Sequence, residues 1–268
     1  MKKIIEKWFD ILQFPTEWKG EILESAQGFS TDEIEKNEQP YEWLFEQENK
    51  LQGLLYALYK CEDFFNTGRK RNIPEDILIK TLSEVRRYAL EYYTSTGKIG
   101  VLMITWLGII LNGNIYRLGR LEFEMHPAQH SCEELGLEKG ENVIGVHIPD
   151  NGGPFTPEAC EKAYAIAKDF FAEYFPEYSY THYVCESWLL DTTLKNFLNN
   201  DSNIVKFMDT FKPVVSKEAY SALIYLFSRD TSVEDLGKIT PKTSLQKAVI
   251  DHIQNGGKLY TTFGVKIR

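Results

Sequence analysis

The segment Val143-Ile-Gly-Val-His-Ile-Pro149, continued by Asp150-Asn-Gly-Gly-Pro-Phe155 and Thr156-Pro-Glu-Ala159, decides how the chain is read. Its first part is a short apolar run that predicts a buried strand. Its second part is a glycine loop. Its third part opens a helix: Thr156 suits the N-cap, Pro157 the first helical position, and Glu158 places a negative charge against the helix dipole. Ala163, Ile166, Ala167, Phe170, Phe171 and Phe175 then recur at helical spacing. A strand, a glycine loop and a helix N-terminus in that order can receive an anion. Gly152 and Gly153 allow close backbone approach, and the N–H groups of the first turn can hold phosphate. The same cap is also the ordinary start signal of a helix that binds nothing.

To the N-terminal side the chain reads as helical. Ile4, Ile5, Trp8, Phe9, Ile11 and Leu12 cluster at helical spacing before Pro15. Tyr41 to Phe65 carries Leu44, Leu51, Leu54, Leu55 and Leu58 on one broad face. Pro74 opens a helix marked by Ile77, Leu78, Leu82, Val85 and Ala89, and an apolar helix near Val101–Leu111 ends at Asn112-Gly113-Asn114. After Gly113 strand and helix alternate. Leu121, Phe123 and Met125 alternate with Arg120, Glu122 and Glu124, the period of a strand with two unlike faces. Tyr183-Val-Cys185, Ile204–Val215 and Leu259–Ile267 read as further strands, and Thr192–Leu198, Ser216–Phe227 and Leu245–Asn255 as helices. The expected class is α+β: a helical domain over 1–112 packed on a mixed β-sheet domain with flanking helices over 113–268.

Composition narrows the partners. The 268 residues are 43% hydrophobic and 13% aromatic, ample for a core, and the formal net charge is −9. Such an acidic chain, whose densest basic run is Arg69-Lys70-Arg71, is not expected to bind nucleic acid. The stretch from Ile99 to Leu111 is shorter than the roughly 20 apolar residues a bilayer needs, so no membrane partner is expected. Four scattered cysteines, Cys61, Cys132, Cys160 and Cys185, form no CxxC pair. That excludes zinc spacing and fits a reduced, cytoplasmic compartment.

Four blocks then carry a resemblance: Tyr116-Arg-Leu-Gly-Arg-Leu-Glu-Phe-Glu124, Val146-His-Ile-Pro-Asp-Asn-Gly-Gly-Pro-Phe-Thr-Pro-Glu-Ala-Cys160, Cys185-Glu-Ser-Trp-Leu-Leu-Asp191 and Asp201-Ser-Asn-Ile-Val-Lys-Phe207. In that order, over nearly the whole chain, they resemble a bacterial family of acyltransferase domain-containing proteins with a helical N-terminal domain and a C-terminal domain like the GNAT N-acetyltransferase fold. The resemblance implies an acyl-CoA co-substrate, acetyl-CoA first, no metal, and a small-molecule amine acceptor. Ile148, Asn151, Gly152, Gly153, Phe155 and Thr156 would hold the pyrophosphate. The pantetheine arm would lie along Val143–Ile148, in a splay beside Tyr183–Trp188. The usual loop signature of that fold, Gln/Arg-x-x-Gly-x-Gly/Ala, is replaced here by Asp150-Asn-Gly-Gly-Pro-Phe155.

Acyl transfer to an amine needs a base, oxyanion donors and an acid for the leaving thiolate. His147 ends the central strand and is a candidate base, or else a core histidine bonded to backbone. Glu124, with Glu122, is a second candidate base or a binder of a cationic amine, or else part of an Arg–Glu surface network. Arg117 and Arg120 are candidates for an anionic substrate. Cys185 is a candidate nucleophile for a covalent acyl intermediate or for thioester hydrolysis, or else a small buried apolar residue. Tyr180 and Tyr183 are candidate acids. A binding module of the same fold without catalysis is the alternative to the enzyme.

Overall fold

Apolar residues recurring every three or four positions bury one stripe of a long helix, α5 (Glu75–Thr96), whose buried residues include Leu78, Leu82, Val85 and Ala89. It stops at Gly97, whose φ of 68° is a left-handed cap that costs glycine no Cβ clash. The computed structural model describes residues 1–228 and 231–268, and the chain divides into two compact units, Met1–Arg117 and Leu118–Arg268.

The first unit also holds α1 (Lys2–Ile11), α2 (Lys19–Ser25), α3 (Pro40–Glu46), α4 (Lys50–Lys70) and α6 (Ile104–Leu111). The stretch read as one helix from Tyr41 to Phe65 is two. Gln47 turns extended at ψ 141° and ends α3, and α4 starts after Asn49. Tyr41 packs against Gly108 of α6, where an added Cβ would sit 2.5 Å from the ring. Within this unit Arg117 Nη1 donates to Glu84 Oε1 at 2.8 Å, and Arg87 holds the other oxygen of the same buried carboxylate at 2.6 Å.

A six-stranded sheet has the order β1-β2-β3-β4-β6-β5, and its strands from β2 onward lie in the second unit. The strands are β1 (Ile115–Leu118), β2 (Leu121–Pro127), β3 (Asn142–His147), β4 (His182–Ser187), β5 (Lys212–Glu218) and β6 (Tyr260–Ile267). β2 and β3 are antiparallel, β3 and β4 parallel, and β6 pairs antiparallel with both β4 and β5. The helix predicted after the glycine loop is α7 (Pro157–Tyr174), which covers one sheet face. Its Tyr164 ring meets Phe123 of β2 at 5.7 Å and Tyr183 of β4 at 4.9 Å, edge to face. The other face carries a core of Val143, Val184, Phe263 and Val265, closed by Ala128, Cys132 and Leu137.

Two expected elements are different in the fold. Ile204–Val215 is not one strand. Ser202 accepts from the Val205 N–H and caps a short helix, α8 (Asn203–Met208), and β5 begins only at Lys212. Alternation over so few residues cannot distinguish a strand from a helical turn that buries Val205, Phe207 and Met208. Likewise Ser216–Glu218 stays extended, because it pairs with Tyr260–Thr262 of β6. The helix there, α9 (Ser221–Leu226), starts later. The last helix is α10 (Ser244–Gln254), opened by a Thr243–Gln246 capping box.

Candidate active site

The parallel pair at the centre of the sheet is short. Among the described residues β3 and β4 pair only at Ile144↔Tyr183 and Gly145↔Val184, although β3 runs to His147 and β4 to Ser187. The two strands part at their C-terminal ends. The chain leaves β3 at this opening and enters the glycine loop.

The loop is built around an arginine. The β1–β2 connection is tight, with Gly119 at φ 67°, and it throws Arg120 out of the strand alternation expected for it. The guanidinium is almost wholly buried and donates from Nη1 to the Pro149 carbonyl at 2.7 Å. It lies 5.2 Å over the Phe155 ring, which packs on Phe207 of α8 at 5.1 Å. Gly152 has no room for a side chain, because an added Cβ would stand 2.5 Å from Arg120 Nη1. Gly152 thus permits the close approach of Arg120. Gly153 follows at φ 79° with open space around it. Asn151 and Asp150 are exposed, and Ile148, Phe155 and Thr156 are half-buried. Thr156 caps α7 as predicted, accepting from the Ala159 N–H at 3.2 Å. The helix start attracts negative charge: the backbone N–H of Glu158 and the Thr156 side chain hold the Glu158 carboxyl below its usual range.

On the sheet face away from α7, the antiparallel register sets Glu122 opposite His147 and Glu124 opposite Gly145. His147 and Glu124 lie diagonally and join at 2.8 Å, Nε2 to Oε2, with their side chains 31% and 16% exposed. The pair is reachable yet shielded. Gly145 leaves the space beside it to His126, whose ring an added Cβ would meet at 2.5 Å. Burial alone would raise the Glu124 carboxyl, but the hydrogen bond from His147 and the charges of His147 and His126 hold it below its ordinary value of 4.5. A carboxylate depressed by folding contributes stability that is complete above its unfolded pKa and lost as pH falls through the folded one. Glu124→Gln should therefore be less stable than the native chain at neutral pH, with the gap narrowing below about pH 4.5. Denaturant titrations across that range check this, and a gap constant with pH would refute it.

The other candidates are placed differently. Cys185 is 2% exposed, and burial pushes its thiol well above the ordinary range, so the nucleophilic thiolate is suppressed where it stands. Its side chain is on the α7 face, opposite that of His147. Tyr180 and Tyr183 share a hydrogen bond at 3.2 Å beneath α7, and burial raises both phenols. Arg117 faces Glu84, while Glu122 is buried beside the His147–Glu124 pair. His126 was missed as a neighbour of the pair, though strand alternation already put Glu122, Glu124 and His126 on one face. Among the described residues no His, Cys, Asp or Glu cluster could hold a metal, and no helix is long and apolar enough to cross a membrane.

A family profile described as GNAT-like C-terminal domain matches residues 115–266, more than half of the chain. No curated protein matches it. Among solved structures, an acyltransferase in complex with decanoyl-CoA and teicoplanin is similar with a TM-score of 0.77, at 22% identity over 98% of this chain and 87% of that one. An acyltransferase in complex with decanoyl-CoA is similar with a TM-score of 0.75, at 22% identity over 97% and 86% of the two chains. At that identity the likeness is one of fold.

Proposed function

The chain belongs to the GNAT-like C-terminal domain family, and from that premise we propose that it transfers an acyl group from acyl-CoA to a small-molecule amine. The observation that carries this reading is the parting of β3 and β4 beside both the glycine loop and the His147–Glu124 pair. An extended pantetheine arm carries amide groups that can pair with β3 backbone where its pairing with β4 ends, as a further strand would. Its pyrophosphate would meet the Asn151–Thr156 backbone at the α7 N-terminus, with the Arg120 cation beneath offsetting Asp150. The solved acyltransferases of the same fold hold acyl-CoA, which supports the same class of co-substrate here. Acetyl-CoA is the proposed donor, and decanoyl-CoA is the comparison that tests chain length.

The reaction is direct. The amine nitrogen attacks the thioester carbonyl while the His147–Glu124 pair takes its proton. Backbone N–H groups at the parted strand edge hold the oxyanion. The C–S bond then breaks, and the imidazolium formed in the attack returns its proton to the departing thiolate, which leaves as the thiol. Glu124 orients the imidazole and stabilises its cation, so the two side chains act as one base.

Titration calorimetry with acetyl-CoA and decanoyl-CoA tests the reading. Saturable heat is expected, with thermal stabilisation approaching 3 kcal/mol at about a hundred times Kd. Arg120→Met should weaken binding by about tenfold, one charged contact. Neither heat nor stabilisation at millimolar ligand would sink the proposal. Binding without turnover of any amine would leave a module that holds CoA and catalyses nothing.

A further inference from the structure

A third side chain belongs to the sheet face that carries His147 and Glu124. Alternation along β2 puts Glu122, Glu124 and His126 on one face, and the register sets Glu124 opposite Gly145 and His126 opposite Val143. Gly145 offers no side chain of its own. Two groups close over it instead: a Cβ added there would meet His126 Nε2 at 2.5 Å and Glu124 Cβ at 3.5 Å. The His126 ring therefore fills, beside Glu124, the space that a side chain at position 145 would take.

The ring is anchored from its other nitrogen. Nδ1 lies 2.9 Å from the Pro127 carbonyl, which can only accept, so Nδ1 carries the proton and Nε2 is turned toward Gly145. Burial raises the Glu124 carboxyl, while the His147 hydrogen bond and the charges of His147 and His126 hold it down. His126 is thus within electrostatic reach of the carboxylate. Glu124 has a use for such a neighbour. Its side chain is long and flexible, and fixing it costs conformational entropy. Among the described residues it is held by a hydrogen bond to His147 alone, at 2.8 Å. Without the ring over Gly145 the carboxylate would have a hollow to swing into.

We propose that His126 is a positioning residue: its ring, wedged over Gly145, confines the Glu124 carboxylate to the His147 imidazole. Its effect on turnover rests on the acyl-transfer reading, whereas its effect on the His147–Glu124 hydrogen bond does not. Proton NMR of the full chain without ligand, with isotope-labelled histidines, reads that bond directly. The His147 Nε2–H held by a carboxylate should give a downfield, slowly exchanging signal. His126→Ala should lose it. His126→Gln, which refills the space and can still donate to the Pro127 carbonyl, should restore it. With acetyl-CoA and a panel of primary amines, His126→Ala should lower kcat by about threefold to tenfold and leave KM for acetyl-CoA within about twofold. Added to Glu124→Gln it should change kcat by less than about twofold, because it acts only through that carboxylate. The proposal is overturned if the His147 signal survives in His126→Ala, if His126→Gln fails to restore it, or if the loss of kcat is as large on the Glu124→Gln background. Absence of turnover with every amine in the native chain would count against the acyl-transfer reading, and the His147 signal would still decide for or against His126.

Discussion

Replacing His147 by alanine should lower the turnover of acyl transfer by about 100- to 1000-fold and leave acyl-CoA affinity within about twofold. The split follows from geometry. His147 meets Glu124 at 2.8 Å on the sheet face away from α7, whereas the loop proposed to hold the pyrophosphate rests on Arg120 and the α7 cap. Loss of the imidazole removes the proton acceptor and touches none of the loop. Glu124→Gln keeps a hydrogen-bonding side chain but removes the charge that favours the imidazolium, so turnover should fall by about tenfold or more. The double variant should be scarcely worse than His147→Ala, because two groups acting as one base are not additive. CoA release measured with a panel of primary amines, beside calorimetry with acetyl-CoA, checks all three. Unchanged turnover in His147→Ala would remove the pair from the mechanism.

Replacing Arg117 by methionine should destabilise the helical unit by about 3 kcal/mol, roughly a 10 °C fall in Tm for a chain of this size. Glu84 is fully buried and divided between two arginines: Arg117 at 2.8 Å and Arg87 at 2.6 Å. Removal of Arg117 leaves one carboxylate oxygen desolvated without its donor. Arg87 remains, which keeps the cost toward the lower end for a broken buried pair. The backbone N–H of Arg117, bonded to Thr81 Oγ1 at 3.0 Å, is unaffected. Glu84→Leu combined with Arg117→Met should recover most of the loss, since an apolar pair leaves no buried charge to satisfy. Arg87 can then turn to solvent, its side chain being already 18% exposed. Thermal melts of the two single variants and the double variant form the cycle. A double variant no more stable than Arg117→Met alone would show that the arginine acts by packing and not by its charge.

The local signals were legible because they are made by neighbours in sequence. Thr156 and Pro157 specify the start of α7 through a cap that spans three residues. Alternation along Leu121–Met125 specifies which side chains share a face. Where alternation was brief, as at Ile204–Val215, a helical turn and a strand were indistinguishable, and Ser202 acting as an N-cap decided for the helix.

By itself the sequence determined the class of each half, the strand, glycine loop and capped helix at its centre, and the common face of Glu122 and Glu124. Only the tertiary structure brought His147 to Glu124, because that contact depends on a register in which Glu124 faces Gly145. Only it set Arg120 beneath Gly152, from a turn 29 residues before the Pro149 carbonyl it holds. It alone ended the β3–β4 pairing after Gly145 and Val184. Capping and periodicity are short-range and are written in consecutive residues. Register, strand order and the reach of a buried arginine arise from contacts between segments far apart in the chain, which consecutive residues do not encode.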